Sequence, residues 1–385
     1  MRSSIHDSSP CLKLEKGETG LRILSIALNT AWGSRFVLPV PLVLLAVAFL
    51  LPFGCKKTPA EPPFRSPREY TWDVQEVSSP GFQVSANGIW GSSSEDIYVT
   101  FQSGSVRNFK LFHFDGAQWS QVDVSQFGSS QVGFNLYAIA GFSSSDVWAV
   151  GAQTYTNPAP PPNLLDSALV IHFDGSTWSE VALPNRRLGL RAIGGVSPSD
   201  VWFGGRGSAI YHFDGNHINI DTLPSVFPTV NSGLICDQIV VGPLNKRYAV
   251  FNDGSTGYFH FLGDSGSSWR ELDSQFAWQS SVWVSPTGKI FSTFFSYGVY
   301  TWPGVAPWAL FYDNPSASIF VRGVSEEDLF VTGQNQCLYH YNGTEWYKVP
   351  GFDSTNVTFL DIWECGEEVF VVGTDGTKSF IFHGR

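Results

Sequence analysis

Between Tyr70 and Arg385 one sequence unit returns seven times, and a chain built this way has few architectures open to it. The unit is clearest in LYAIAGFSSSDVWAVG (136–151) and recurs in LRAIGGVSPSDVWFGG (190–205), NGIWGSSSEDIYVT (87–100) and FVRGVSEEDLFVTG (320–333). Weaker copies are DQIVVGPLNKRYAVF (237–251), SVWVSPTGKIFSTF (281–294) and LDIWECGEEVFVVG (360–373). Aligned, they place Ile89, Ile139, Ile193, Ile239, Val282, Val321 and Ile362 in one column, spaced by 50, 54, 46, 43, 39 and 41 residues. A repeat of this length marks a solenoid or a propeller.

Each unit has a second half, seen in LFHFDGAQWSQV (111–122), VIHFDGSTWSEV (170–181) and LYHYNGTEWYKV (338–349). Apolar runs and turns alternate four times per unit, which predicts four short antiparallel strands, the blade of a β-propeller. Composition agrees. Aromatic residues make up 15% of the chain and charged residues only 15%, with 38 Gly and 23 Pro, so strands and turns are favoured over helices. The seventh unit stops at FIFHGR and lacks its fourth segment, while EYTWDVQEVSSP (69–80) ahead of the first unit carries that segment's pattern. The reading is all-β: a seven-bladed propeller over residues 70–385, closed by an N-terminal strand that completes the last blade and leaves no open edge.

The pattern IWGSSxxDVWAVG…HFDGxxW resembles the propeller repeats common in exported bacterial proteins, grouped with WD-repeat and BNR-like propellers. It departs from an Asp-box, since Asp115 and Gly116 are adjacent, and has the double Gly of kelch units only at Gly194 and Gly195. The resemblance implies the fold and no activity.

Residues 1–55 read as a signal segment. Phe36 to Phe53 is free of charge, follows Arg22 and Arg35, and contains Pro39, Pro41 and Pro52, which argue against a permanent membrane span. Gly54 before Cys55 is similar to the end of a bacterial lipoprotein signal, although Leu51 stands four places before the cysteine rather than three. Cys55 is the expected lipidation site, at a cell outer membrane or the periplasmic face of a membrane. The alternative is a single N-terminal anchor. Residues 56–69, with four prolines, form a tether. Beyond Cys55 the chain has 18 basic and 31 acidic residues, so nucleic acid is a poor partner.

The repeat accounts for most candidate chemical groups. His113, His172, His212, His260 and His340 occupy one repeat position and so fall in different blades, which argues against a shared metal. No cofactor is expected. Asp96, Asp146, Asp200 and Asp328 close the first turn, where a carboxylate is expected to accept backbone N–H groups, and Asp115, Asp174 and Asp214 precede Gly in the second. Trp119, Trp178, Trp269 and Trp346 recur in the fourth strand and are read as packing between blades. Cys236, Cys337 and Cys365 lack metal or redox spacing and are read as buried free thiols. No nucleophile, Walker or dinucleotide motif is present.

Recognition is expected on the face carrying the two-to-three loops and blade crossings, which vary in length. The longest are GSVRNFK (104–110), SQFGSSQVGFN (125–135), AQTYTNPAPPPNLLDS (152–167) and PSVFPTVNSGLICD (224–237). Candidate ligand residues are Arg107, Tyr155, Arg186, Arg187, Arg206, Trp278 and Tyr297, with Arg322 as the one charge in the column following Ile89. The expected function is a lipid-anchored, non-enzymatic, monomeric propeller that binds a protein or a glycan. The alternative is a polysaccharide hydrolase or lyase with a site at the ring centre.

Overall fold

The computed structural model describes residues 66–385 apart from the segments 105–109, 128–132, 158–162, 185–187, 208–209, 222, 224–232, 255–256, 265–267, 278, 295–297, 314–317, 334–336 and 353–355. The signal segment, Cys55 and most of the tether lie outside the described residues. The described chain forms seven four-stranded antiparallel sheets arranged as a β-propeller. Their first strands are Val84–Ser93, Phe134–Ser143, Leu190–Ser197, Leu234–Val241, Gln279–Val284, Ser318–Ser325 and Thr358–Cys365. Each first strand packs against the first strands of its neighbours around the ring, so these strands are innermost.

The seventh sheet is completed by Trp72–Val77, which pairs with the strand Ser379–Gly384 from Trp72↔Gly384 through Val77↔Ser379. Thr71 and Arg385 exchange two further backbone hydrogen bonds at 2.9 and 3.1 Å. The alternating pattern at 69–80 therefore does what its sequence predicts and covers the edge that the last repeat leaves open.

The Ile column is the apolar spine of the ring. Its seven residues are buried, and each pairs across to a residue of the second strand, from Ile89↔Val99 to Ile362↔Val371. Two positions earlier every first strand carries a bulge. The unpaired residues are Asn87, Tyr137, Arg191, Asp237, Ser280, Ile319 and Leu360. A bulge adds one residue and sharpens strand twist, which suits a strand at the crowded centre of a ring.

Fourth-strand tryptophans join the blades. Trp178 meets Tyr98 of the preceding blade edge-on at 6.0 Å, Trp269 meets Trp202 at 5.8 Å, and Trp119 of blade 1 meets Phe370 of blade 7 at 6.4 Å. Trp346 stacks on Tyr312 of blade 5 at 4.5 Å.

The two stereotyped turns share one face. In the second turn Asp115 Oδ1 accepts the N–H groups of Ala117 and Gln118, and Asp174 and Asp214 accept the equivalent pairs. Gly116 follows with φ +87, and a Cβ there would lie 2.9 Å from Glu95 of the first turn. Gly175 and Gly215 abut Ser145 and Ser199 in the same manner.

The first-turn acids depart from expectation. Backbone N–H groups there are taken by Ser93, Ser143, Ser197 and Ser325, which leaves Asp96, Asp146, Asp200 and Asp328 free to bind a histidine of the third strand. The Nε2 atoms of His113, His172, His212 and His340 sit 2.6, 3.1, 2.8 and 2.6 Å from those carboxylates. Each ring also lies against an aromatic residue of the second strand: Tyr98, Trp148, Trp202 and Phe330 at 4.2, 4.0, 3.9 and 4.4 Å.

His260 is not the fifth member of this set. It pairs with Phe251 and binds Glu271 at 2.7 Å, and Gly263 takes the position opposite Tyr248. The third strand of blade 4, Tyr258–Asp264, is seven residues long, which moves the histidine along the strand. The fifth member is His383, which stacks on Phe370 at 4.0 Å and meets Glu368 at 2.5 Å. Cys236 and Cys337 are buried free thiols, whereas Cys365 is disulfide-bonded, so that expectation holds for two of the three.

Candidate functional site

The strand registers define the face opposite the stereotyped turns. It collects the beginnings of the first and third strands and the ends of the second. Of the sequence-predicted site residues, Arg107, Arg186, Arg187, Trp278 and Tyr297 lie outside the described residues. Tyr155 falls in the strand Asp146–Asn157, opposite Leu165. The segment read as a loop at 152–167 is largely a β-hairpin extension, paired out to Asn157↔Asn163. Its residues QTYT and LLDS have strand-forming character, and the proline run lies between the two arms.

Arg206 sits on this face, where blade 3 meets blade 4. Its N–H bonds Gly189 O at 3.1 Å, and its backbone bridges to Ile235. Near it, in the first strand of blade 4, the bulged Asp237 is buried. Asp237 Oδ2 accepts from Asn252 Nδ2 at 2.9 Å, and Oδ1 has no hydrogen-bond partner. Burial pushes this carboxyl up to about 6, against the opposing pull of Asn252 and of the Arg191 and Arg206 guanidiniums. Arg191, the bulged residue of blade 3, lies over the Tyr137 ring of blade 2 at 4.9 Å. Blades 3 and 4 thus bring one carboxyl group and two guanidiniums to the same end of the ring.

Arg322 has a different place. Its Nη1 donates to Ser281 Oγ of blade 5 at 2.9 Å and to Val321 O at 2.7 Å, and its Nη2 lies 3.4 Å from Asp361 of blade 7. Asp361 in turn accepts from the Ile362 N–H at 2.9 Å and the Ile89 N–H of blade 1 at 3.4 Å. One buried ion pair therefore ties four blades together. Burial outweighs the guanidinium and holds the Asp361 carboxyl at about 6. Blades 1 and 2 are joined by Asn87 Nδ2 donating to Leu136 O at 2.8 Å, and blades 4 and 5 by the Val282 N–H donating to Gln238 Oε1 at 2.6 Å.

Lys110 is a further buried group on the variable face. Its Nζ donates to Ser103 O at 2.8 Å and to Asn135 Oδ1 of blade 2 at 2.9 Å, and desolvation lowers its ammonium to about 7. Sequence reasoning missed Arg191, Asp237, Asp361 and Lys110. The first three are charged residues inside the buried first strands, a signal visible once the bulge is known. Among the described residues no group of three or more His, Cys, Asp and Glu is placed to hold a metal ion.

On the turn face the junction of blades 6 and 7 is distinct. His340 donates through Nε2 to Asp328, which leaves Nδ1 to accept the Tyr347 hydroxyl at 2.6 Å. Arg68 lies over the Tyr347 ring at 3.6 Å and pairs with Glu345 at 2.5 Å. Glu364 is buried here, occupying a position that is Gly91, Gly141, Gly195 and Gly323 in other blades. Burial, together with the negative charge of Asp328, pushes its carboxyl well above the usual carboxylate range.

No family model matches the chain, and no curated protein matches it. Solved structures do. YCF48 bound to D1 peptide is 13% identical with a TM-score of 0.60, over 81% of this chain and 96% of that one. A catalytically inactive virginiamycin B lyase from Staphylococcus aureus, solved with quinupristin, is 13% identical with a TM-score of 0.58, over 81% and 99%. A chain of the mitotic checkpoint complex is 12% identical with a TM-score of 0.53, over 89% and 99%. At such identities the likeness carries the propeller fold and nothing finer.

Proposed function

We propose that this chain is a lipid-anchored, non-enzymatic β-propeller that binds a protein partner through its variable face. The observation that carries this reading is where the chain enters the ring. Arg68 pairs with Glu345 of a stereotyped turn, and Trp72 begins the closing strand beside Gly384, at the turn-face end of the sheet. A tether leading from a lipidated Cys55 to Ser66 therefore meets the domain on the turn-face side. On this reading the opposite face, with Arg206, Asp237 and the hairpin 146–173, is the one left open to a partner.

Binding has more support than hydrolysis. A glycosidase needs two carboxyl groups about 5 to 9.5 Å apart and open to substrate. Of the first-strand acids, Asp361 is committed to Arg322 and two backbone N–H groups, while Asp237 and Glu364 each keep one oxygen without a partner but are buried, in blades 4 and 7 and toward opposite ends of their strands.

The experiment is site-specific photocrosslinking in intact cells. A crosslinker at Arg206 is expected to give a discrete protein adduct, and one at Ser176 on the turn face is not. Equal adducts from both positions, or none at Arg206, would contradict the reading. Lipidation is tested separately by the mass of the mature N-terminal peptide.

A further inference from the structure

The seam of the ring holds a cavity of about 370 Å³ between blade 7 and blade 1. One wall is the closing strand at Asp73, Val74 and Gln75, and the other is the second turn of blade 1 at Gly116, Ala117 and Gln118. Phe114, Trp119 and Ile381 form its apolar lining, joined by His383 and Arg385. The volume falls in the range of small-molecule sites, roughly 300 to 1,000 Å³.

Its chemistry narrows the ligand. Trp119 and Phe114, 5.2 Å apart, give an aromatic surface of mixed orientation. Around it stand planar hydrogen-bonding side chains: the Gln118 and Gln75 amides, the Asp73 carboxylate and the Arg385 guanidinium. Asp73 and Arg385 are paired at 2.7 Å, and His383 is held by Glu368, so the charged groups of the rim are already matched to protein partners. A phosphate or carboxylate would have to break the Asp73–Arg385 pair. A pyranose offers an apolar C–H face for the aromatics and several hydroxyls that both donate and accept, which the mixed rim matches.

We propose that the seam cavity is a binding site for a neutral sugar ring. It is separate from the variable face, so its fate does not depend on the protein-binding reading. Because its walls come from the closing strand, the last strand and blade 1, the sugar bridges the seam and binds only the closed ring. Ligand that binds the folded state alone raises the unfolding temperature with concentration.

The test uses the whole purified chain with methyl glycosides of glucose, galactose, mannose and N-acetylglucosamine, and glucuronate as the charged comparison, followed by ligand-observed NMR and calorimetry. Saturable binding of at least one neutral glycoside is expected, with Gln118→Ala and Asp73→Ala each weakening it about fivefold through loss of one hydrogen bond. Both side chains are exposed, so the variants keep the fold. The absence of saturation by every neutral sugar overturns the proposal. So does unchanged affinity in both rim variants, or a preference for glucuronate.

Discussion

Arg322 of blade 6 and Asp361 of blade 7 form an ion pair at 3.4 Å in which Asp361 is buried and the Arg322 side chain is only 11% exposed. The pair lies where four first strands converge, and its hydrogen bonds reach blades 5 and 1. Such a pair costs desolvation to form and is expensive to break from one side, because the remaining charge is stranded.

Arg322→Ala is therefore expected to destabilise the ring by about 3 to 5 kcal/mol. The double variant Arg322→Met with Asp361→Leu should recover most of that loss, since no charge is left buried. Denaturant melts of the single and double variants check this.

The pH dependence follows from the raised carboxyls. Asp237 and Asp361 are each held at about 6, against 3.8 in an unfolded chain. The folded state then binds more protons than the unfolded state, so their contribution is complete below pH 4 and is lost as pH rises through 6. Each carboxyl accounts for roughly 3 kcal/mol of this slope. Asp237→Asn is expected to flatten the curve between pH 4 and 6 and raise stability at pH 7, as read by thermal melts across that range. Glu364→Gln should do the same at higher pH, because its carboxyl lies well above the usual range.

The closing strand makes a separate claim. Val77 is buried and pairs with Ser379, so Val77→Ala is expected to cost about 2 kcal/mol. Removing residues through Val77 exposes the edge of Ser379–Gly384. The truncated chain should associate through that edge and lose its single cooperative transition. Size-exclusion chromatography and calorimetry report the two effects.

Two histidines that look alike in sequence should behave differently. His172 stacks on Trp148 and binds Asp146, and its replacement by Ala leaves that half-buried carboxylate with the Trp148 Nε1 donor alone, costing about 1 to 3 kcal/mol. His260 has no place in that arrangement and binds Glu271 of the outermost strand rather than a first-turn carboxylate, so His260→Ala should leave the first turn intact and cost less. Side-by-side urea melts distinguish the two.

Much of the architecture was legible in the linear chain. The Ile column, the alternation of apolar runs and turns, and the strand pattern at Trp72 and Val74 are periodic features that depend only on near neighbours. They determined the number of blades, the position of the closing strand and the adjacency of the two stereotyped turns. The Asp-Gly turns were equally local, since Asp115 bonds N–H groups two and three residues ahead.

The side-chain partners were not legible, because they are made between blades. His260 matched the repeat by eye, yet strand register gave its place to Gly263 and gave the fifth histidine position to His383. Arg322 stood out as a lone charge in its column, but only the closed ring brought Asp361 and Ser281 to it and spent that charge on packing. The same holds for Asp237, an ordinary acid in the sequence that becomes a buried carboxylate because a bulge turns it inward beside Asn252. The chain itself therefore determined the ring and its closure, through hydrogen-bonding and apolar patterns of short range. Tertiary structure decided which charged groups are buried, paired or left for a ligand, because burial and partner distance are set by residues tens to hundreds of positions apart.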